Sequence, residues 1–528
     1  MDILQHWSHS NSPPRETQLR ALEWLEKQTA RYLILEIPVG GGKSHLGVTY
    51  GNSIQSDDFR KSFILTPQKV LQEQYENTFP EERVFAFYGK NNYTCSQRNT
   101  TCDIGSLIKP ECESCPFVMA KGRAKNVPHV VLNYTMALLC FNYTNMFKRR
   151  PLMILDECHN TEQQLTELNA LQITAKRAER MGVKWKVLET LDHTHKWLND
   201  VYHPAVEIKL TELVDECSYI IDSPSSRQTT SVELNKLKEL ASLQEHEKLV
   251  RTVMNERIDD VKQIYTLVHD KTMIKFKYLF ASTNFYKILE PMADKFLFMS
   301  STILNYKGFC NDLGISQDEA AFLSLPSEFP VENRPVYFMP SMRMNVNWKD
   351  PQNQANRKAM IGTIKGLLEL HNDVSGIIHT GSFAIAQWLI DELSNSVPHV
   401  IFEHNPSEQR RDRRDVIDDF KHSSKPGVLI SPSITEGLDL VNDLARFAIF
   451  VKVPYGFLGD QWIKARMELS GEWYQRQALV DMIQGGGRIV RSKEDWGHVY
   501  ILDSSWSYLY SKASHMIPKW WKQAYTEV

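Results

Sequence analysis

A glycine-rich loop near the amino terminus constrains the fold of this 528-residue chain more than any other feature. Residues 32–37 form a short apolar run of the kind found in buried strands, and the loop begins three residues later. In such a loop, glycines let backbone N–H groups surround phosphates, a lysine reaches the β and γ oxygens, and a serine holds Mg²⁺. Ile37 occupies the place where the general pattern has its first glycine. We therefore predict that the phosphates of a nucleotide are bound by Gly40, Gly41, Gly42, Lys43 and Ser44.

Further apolar runs predict two domains, each built on a parallel sheet. Continuous apolar strands belong to sheets that helices cover on both faces, with functional residues at the carboxyl ends of the strands. A chain of this length also exceeds what one hydrophobic core normally serves. Residues 161 to 294 are polar and mostly helical in pattern, so the prediction is an α/β protein with insertions in its first domain. The runs lie at residues 63–67, 152–156 and 295–299 and, after Pro330, at 376–379, 400–402, 427–430, 447–451 and 499–502.

Two carboxylates and two arginines complete a nucleotide-hydrolysing set. Asp156 closes an apolar run and can hold the Mg²⁺ shell, and Glu157 can polarise the attacking water. Far downstream, Gln484 precedes Arg488 and Arg491, which are three residues apart and would share one face of a helix. Arginines supplied by a second domain would make hydrolysis depend on closure of the cleft between the domains. The sequence therefore predicts an NTPase.

Four of the eight cysteines crowd into one short segment: Cys95, Cys102, Cys112 and Cys115. In a reducing cytosol such a cluster indicates a metal site rather than disulfides. Only the last two form a C-x-x-C pair, whereas a structural zinc site would more often show two such pairs. Four thiolates could also converge on one iron–sulfur cubane. Spacing alone leaves zinc and an iron–sulfur cluster open; Cys140 and Cys158 are interpreted as buried small residues.

Bulk composition neither indicates nor excludes a nucleic-acid partner. The net charge is −3, but phosphate contacts need only a local basic track. The basic clusters at residues 121–125 and 148–150 are interpreted as solvated surface charge. No apolar run is long enough to cross a bilayer, and the chain does not start with basic residues followed by an apolar stretch. We expect no membrane association and an intracellular, cytoplasmic location, with the nucleus not excluded.

In their order along nearly the whole chain, these motifs resemble superfamily 2 helicases of the XPD/DinG type, which carry iron–sulfur clusters. Residues 36–44 are similar to the family's E-x-P-T-G-x-G-K-T motif, with Val39 in place of threonine. Residues 156–159 are similar to its D-E-A-H box, with Cys158 in place of alanine. The other matching segments are residues 15–18, 63–68 with Gln74, 300–303, 327–330, 379–383, 435–439 and 484–491.

The resemblance implies two RecA-like domains and a role for each matched residue. The first domain would comprise residues 1–87, 133–164 and 291–328, interrupted by an iron–sulfur domain at 88–132 and a helical arch domain at 165–290. The second would comprise residues 329–528. The four clustered cysteines would hold a [4Fe–4S] cluster. Gln18, Gly437 and Asp439 would contact the nucleotide, and Gln484, Arg488 and Arg491 would complete the catalytic site. Contacts to nucleic acid, or coupling of hydrolysis to grip on the strand, would come from Thr66, Gln74, Ser301, Thr302, Thr380 and Ser382.

The function implied is an ATP-dependent DNA helicase that uses Mg²⁺ and moves along single-stranded or forked DNA as a monomer, with 5′→3′ polarity. RNA remains possible as the partner. Tyr93, Lys121, Arg123 and Lys125 flank the cysteines and are candidate contacts for the strand. Three alternatives stay open: an ATPase that translocates without unwinding, a zinc-stabilised RNA remodeller of the related D-E-A-H group, and a non-enzymatic scaffold with a degenerate ATP site.

Overall fold

Two seven-stranded sheets, both parallel, organise the computed structural model. This arrangement confirms the predicted α/β class. The structure describes residues 2–9, 12–54, 59–96, 100–108, 114–168, 170–186, 190–222, 230–255, 265–269, 272–394, 396–403, 413–432, 442–490 and 492–528. Within these ranges, no helix is both long and apolar enough to span a membrane.

The first sheet has the strand order β10-β1-β9-β5-β2-β4-β3. Its strands are almost continuously apolar because helices cover both faces. Leu33 and Leu35 of β1 pack on one face, and Tyr32 and Ile34 pack on the other. The strands are β1 Tyr32–Glu36, β2 Ser62–Thr66, β3 Val84–Ala86, β4 His129–Asn133, β5 Arg150–Asp156, β9 Ala293–Ser300 and β10 Ala320–Ser324.

Helices of the first domain lie on both faces of this sheet. Helices α1 to α3 belong to the face that carries the glycine-rich loop, and α6, α7 and α13 belong to the other. The helices are α1 Glu16–Lys27, α2 Lys43–Ser53, α3 Lys69–Thr78, α4 Cys102–Ile108, α5 Pro116–Asn126, α6 Tyr134–Tyr143, α7 Thr161–Glu167, α12 Ser282–Asn284 and α13 Tyr306–Leu313. The cysteine-bearing segment connects β3 to β4, and β4 pairs with β2. Residues 129–132 therefore lie in the first sheet, not in the iron–sulfur segment to which the sequence assigned them.

The segment between β5 and β9 forms its own core from helices and a three-stranded antiparallel sheet of order β6-β8-β7. The described part of this insertion is mostly helical, as its sequence pattern indicates, but the prediction of a helical arch missed these three strands. Ile274 and Phe276 of β8 face this core in a period-two pattern that the polar surroundings obscure, and Ile104 of α4 joins the same core. The elements are α8 Ala175–Arg180, α9 Leu191–Trp197, α10 His203–Ile221, α11 Ser231–Met254, β6 Leu171–Thr174, β7 Tyr265–His269 and β8 Met273–Tyr278.

The second domain is built on the strand order β13-β14-β12-β15-β16-β11-β17. Predicted strands at 376–379, 400–402, 427–430, 447–451 and 499–502 are confirmed as β12 to β16, whose bounds differ by no more than one residue. The strands are β11 Val336–Met342, β12 Gly376–His379, β13 Val400–Glu403, β14 Gly427–Ser431, β15 Phe447–Phe450, β16 His498–Asp503 and β17 Tyr525–Glu527. The helices are α14 Gln354–Leu370, α15 Phe383–Leu393, α16 Arg413–Lys421, α17 Gln461–Leu469, α18 Gly471–Gly486, α19 Ser505–Ala513 and α20 Lys519–Lys522.

Arg150, at the start of β5, corrects the view of residues 148–150 as surface charge, because its side chain is fully buried. Its guanidinium donates hydrogen bonds to the main-chain carbonyls of Ser62, Ala124, Val127 and Pro128, at 2.8–3.0 Å. It thereby ties the end of α5 to the first sheet.

Candidate active site

The glycine-rich loop lies between the end of β1 and the start of α2. Gly40 and Gly42 have φ values of 75° and 77°, in the left-handed region that favours glycine. Gln18 donates a hydrogen bond to the carbonyl of Gly41 (3.2 Å), and Arg15 donates one to the carbonyl of Gly40 (2.6 Å). A Cβ on Gly42 would overlap the Gln18 amide, so both glycine conformation and helix α1 shape this loop.

The acidic pair faces the loop from the end of β5. Glu157 adopts a left-handed conformation (φ 48°), and its Oε1 lies 2.9 Å from Nζ of Lys43. Asp156 is buried; its Oδ1 accepts a hydrogen bond from the backbone N–H of Glu157 (3.0 Å), and its Oδ2 accepts one from the Tyr75 hydroxyl (2.9 Å). The lysine and both carboxylates thus meet where the two strands end.

The two neighbouring carboxyl groups have opposite electrostatic environments. Burial, and then the Glu157 carboxylate, raise the pKa of Asp156 to about 6. Burial opposes ionisation of Glu157 as well, but the Lys43 ammonium, together with His159 and Arg488, lowers the pKa of Glu157 to about 2. An Mg²⁺ ion beside Asp156 would supply the positive charge that favours its ionised form.

The end of α18 brings the second domain to the same place. The Gln484 amide donates hydrogen bonds to the hydroxyls of Ser301 (3.0 Å) and Thr302 (2.8 Å) and lies 3.4 Å from Nδ1 of His159. Nδ1 of His159 is also 2.8 Å from the Ser300 hydroxyl. Gln484 therefore connects the segment after β9 with the acidic motif after β5.

Arg488 lines a cleft of about 340 Å³ between the domains, together with the glycine-rich loop, Lys43, Ser44 and the acidic pair. Helix α18 ends at Gly486, so Arg488 lies in the turn that follows. The prediction that Arg488 lies on a helix, sharing a face with Arg491, is therefore wrong. Consecutive glycines at 485–487 account for the early end, because glycine is a poor helix former. Arg491, Gly437, Asp439 and Cys112 lie outside the described residues.

Residues expected to contact nucleic acid occupy different environments. Thr66 and Thr380 are fully buried, and their hydroxyls donate to the nearby carbonyls of Gln68 and Ser382. The Ser382 hydroxyl instead caps α15 by accepting from the N–H of Ile385. Gln74 is exposed and lines the nucleotide-facing cleft.

One contributor to this site was missed by the sequence-based prediction, and another was given no role. Tyr75 of α3, the missed residue, is buried beside Asp156 and also interacts with Ser44. Glu36, the first residue of the matched motif, is buried at the end of β1 and accepts hydrogen bonds from the backbone N–H groups of Ile303 (2.9 Å) and Leu304 (2.8 Å). Tyr75 lies on the apolar face of α3, where an aromatic residue is ordinarily interpreted as core packing.

Two of the four clustered cysteines approach each other closely. Sγ of Cys102 lies 3.5 Å from Sγ of Cys115, and Cys95 is near enough to interact electrostatically with Cys102. A Cβ on Gly105 would come within 2.6 Å of Sγ of Cys95, so a glycine is needed at this approach. Burial, and then Cys115, raise the pKa of Cys102 to about 11, a thiol that metal coordination would deprotonate. The donor set fits a thiolate-bound iron–sulfur or zinc centre.

Some of the residues that flank the cysteines, and that were candidate contacts for a nucleic-acid strand, make contacts within the protein instead. Tyr93 accepts a hydrogen bond from the N–H of Tyr88 (3.3 Å), and Arg123 forms an ion pair with Glu81. Lys121 and Lys125 lie on α5 at the protein surface.

Another group of potential metal ligands lies between α10 and α11. Nε2 of His203 is 3.7 Å from Glu207 and 3.3 Å from Glu247. Arg251 forms ion pairs with both carboxylates, so this group is interpreted as a salt-bridge network.

Comparisons with known proteins agree with this arrangement. A family model described as a helicase C-terminal domain matches residues 370–524, and one described as the res subunit of type III restriction enzymes matches residues 11–196. The chain is 27% identical over 207 residues to the ATP-dependent DNA helicase DinG of Photobacterium profundum, covering 37% of this chain and 29% of that protein. It is 27% identical over 103 residues to a regulator of telomere elongation helicase 1 homolog of Caenorhabditis elegans, covering 16% of this chain and 10% of that protein.

Among solved structures, one described as an XPD helicase has a TM-score of 0.62 at 13% identity and covers 97% of this chain and 99% of that one. An apo XPD structure has a TM-score of 0.59, again at 13% identity, over 97% of this chain and 100% of that one. At 13% identity, these two similarities show a shared fold.

Two parallel sheets that share one phosphate-facing cleft define a two-domain P-loop protein. The two family models, the DinG relative and the XPD-like fold together support the resemblance to XPD/DinG-like helicases of superfamily 2. The chain spans less than a third of the length of the curated relatives named above.

Proposed function

We propose that this protein is an ATP-dependent helicase that hydrolyses ATP in the cleft between its two parallel-sheet domains. The observation that carries the proposal is the Lys43–Glu157 pair, which faces Arg488 of the second domain across that cleft. Phosphoryl transfer needs a cation on the phosphates, a carboxylate that orients water and an arginine that stabilises the developing charge. All three groups meet here.

The charged and polar groups at the nucleotide end of the cleft have proposed roles. The backbone N–H groups of the glycine-rich loop and Lys43 bind the phosphates, and Ser44 and Asp156 hold Mg²⁺. Glu157 orients the attacking water once the nucleotide's phosphate draws Lys43 away from it. Gln484 and Arg488 act from the second domain, and Arg491 would join them. Ser301 and Thr302, both bound to Gln484, are proposed to couple hydrolysis to grip on the strand.

The cysteine segment is proposed to hold a [4Fe–4S] cluster through Cys95, Cys102, Cys112 and Cys115. The close approach of Cys102 and Cys115, and the space that Gly105 leaves for Sγ of Cys95, support this assignment. The cluster would hold this small segment rigid beside the first domain. Ile104 of this segment packs in the core of the second insertion, so the two insertions are in contact.

The substrate is proposed to be single-stranded or forked DNA, with movement in the 5′→3′ direction by a monomer. The support comes from the family, including a relative described as a DNA helicase. An ATPase that translocates without unwinding, or a zinc-containing RNA remodeller, remains the competing assignment.

One set of assays separates these candidates. ATP turnover is measured with single-stranded DNA or single-stranded RNA, and unwinding is measured on duplexes with a 5′ or a 3′ tail. The proposal expects stimulation by DNA and unwinding only from the 5′ tail. Lys43→Ala should remove both activities, and turnover that persists would exclude the assigned phosphate site. Iron analysis of anaerobically purified protein should find about four irons per chain, as a cubane implies; one zinc instead would favour the RNA remodeller.

A further inference from the structure

A buried cluster of four charges joins the two domains at the end of α18 remote from Arg488. Glu162 of α7 and Asp312 of α13 come from the first domain, and Arg466 of α17 and Arg476 of α18 come from the second. Glu162, Arg466 and Arg476 are each less than 10% exposed. Burying charge is costly unless it is paired, so this cluster constrains how the domains can sit.

The contacts form an alternating chain of acids and bases. Nη2 of Arg466 lies 2.5 Å from Oε1 of Glu162 and 2.9 Å from Oδ1 of Asp312. The other oxygen of Asp312 accepts from Arg476, and the other oxygen of Glu162 accepts from the Trp473 indole (2.8 Å). Each acid therefore binds at least two groups of the second domain.

The same face of α18 carries these contacts and the catalytic ones. Trp473, Arg476, Gln477 and Gln484 follow one another at intervals of three, one and seven residues, which place them on one side of a helix. Gln477 also points its amide at Glu162 (3.5 Å). Eleven residues of helix, about 16 Å, separate Trp473 from Gln484. A rigid helix of this length transmits any change of position at one end to the other.

Close contacts hold this end of the helix beside an open cleft of about 740 Å³, which Asp312, Arg466 and Arg476 also line. A Cβ on Gly308 of α13 would come within 2.6 Å of Nη1 of Arg476. The Arg466 guanidinium lies over the ring of Trp473, 4.9 Å from its centroid. Both acids lie shortly after motifs of the nucleotide cleft, Glu162 five residues after Glu157 and Asp312 ten residues after Thr302.

We propose that Glu162 and Asp312 are positioning residues for ATP hydrolysis: they hold α18 in the one placement that brings Gln484 and Arg488 to the cleft. This inference rests on the proposed function, because it assigns the residues to the same reaction. Neither acid lines the nucleotide cleft, so they act through α18 and not on the substrate.

The first experiment compares steady-state ATP hydrolysis and fluorescent ATP-analogue binding by Glu162→Gln, Asp312→Asn and the wild-type protein. Misplacing a catalytic group by about 1 Å costs up to ~100-fold in rate, so kcat should fall roughly 10- to 100-fold. KM and analogue binding should change less than threefold, because Lys43 and the loop are untouched. Glu468→Gln is the matched control, since Glu468 lies on α17 in an exposed ion pair with Lys464. An unchanged kcat in Glu162→Gln would overturn the inference.

A double-mutant cycle with Arg488→Ala distinguishes positioning from a general structural role. If Glu162 acts through the end of α18, Glu162→Gln should add less than about twofold to the loss caused by Arg488→Ala alone. If the double variant instead loses kcat by the product of the two single-variant losses, the inference is overturned. Should Glu162→Gln fold poorly, Glu162→Gln/Arg466→Gln removes both charges, and its kcat should remain low although its stability recovers. If the wild type and Glu468→Gln fail to hydrolyse ATP, the proposed function fails with the inference; if they hydrolyse it and Glu162→Gln matches them, only the inference fails.

Discussion

Nζ of Lys43 lies 2.9 Å from Oε1 of Glu157, so the lysine that would bind phosphate is paired with the carboxylate that would orient water. Nucleotide binding has to redirect this lysine to the phosphates, which releases the carboxylate. The pair thus keeps both groups in place and prevents Glu157 from acting before ATP arrives.

Glu157→Gln tests this relationship. The amide keeps the size of the side chain but cannot orient water as a charged acceptor, so ATP turnover should fall by about 100-fold or more. Binding of a fluorescent ATP analogue should persist and tighten slightly, because Lys43 no longer has to leave an ion pair. Steady-state turnover and equilibrium titration measure the two effects. Normal turnover would remove Glu157 from the proposed chemistry.

Tyr75→Phe tests the contact between α3 and Asp156. The substitution removes only the hydroxyl that donates to Oδ2 of Asp156 (2.9 Å). Loss of a partner that orients a metal-binding carboxylate typically weakens metal binding about 10- to 100-fold. We expect the Mg²⁺ concentration for half-maximal turnover to rise by that order, with turnover largely restored at high Mg²⁺. Tyr88→Phe, which removes a hydroxyl bound to Glu76 away from the cleft, is the control and should leave the Mg²⁺ dependence unchanged.

Acid should destabilise the segment between β5 and β9 through His246 of α11. Its Nδ1 faces the Arg177 guanidinium, its Nε2 bonds to the Tyr202 hydroxyl, and burial followed by Arg177 lowers its pKa to about 3. In the unfolded chain the His246 imidazole binds a proton as pH falls through 6.5, whereas in the folded protein it stays neutral until pH approaches 3. Its contribution to the free energy of unfolding is therefore complete above pH 6.5 and is lost progressively as pH falls toward 3. The loss should be about 1.4 kcal/mol per pH unit in this window.

Thermal unfolding between pH 7.5 and 5 measures this effect. His246→Gln should flatten the pH dependence, whereas His193→Gln, at an exposed position on α9, should leave it as in the wild type. Identical pH profiles for wild type and His246→Gln would contradict a neutral buried His246.

Sequence patterns predicted those parts of the molecule whose signal is local. Continuous apolar runs, among them the ones that precede the glycine-rich loop and the acidic pair, predicted both parallel sheets. Such runs are recognisable because a strand that is buried on both faces contains few polar residues. The sheet formed by β6, β7 and β8 was not predicted, because its alternation of apolar and polar residues is short and lies within a charged, helix-rich segment. Pairs such as Glu162 with Arg466, 304 residues apart, have no local signal at all. Only the folded chain brings them together.

Arg150 illustrates the same limit and gives the last prediction. In the sequence it stands beside Lys148 and Arg149 as one more surface charge, yet its guanidinium is buried among four carbonyls. Arg150→Met keeps the length of the side chain but leaves those carbonyls without their donor, and should lower the free energy of unfolding by about 3–5 kcal/mol. Arg149→Met is the matched control, because Arg149 pairs with Asp294 where both side chains are more than half exposed, and it should cost less than about 1 kcal/mol. Chemical denaturation measures both, and equal effects in the two variants would mean that the carbonyls do not depend on Arg150.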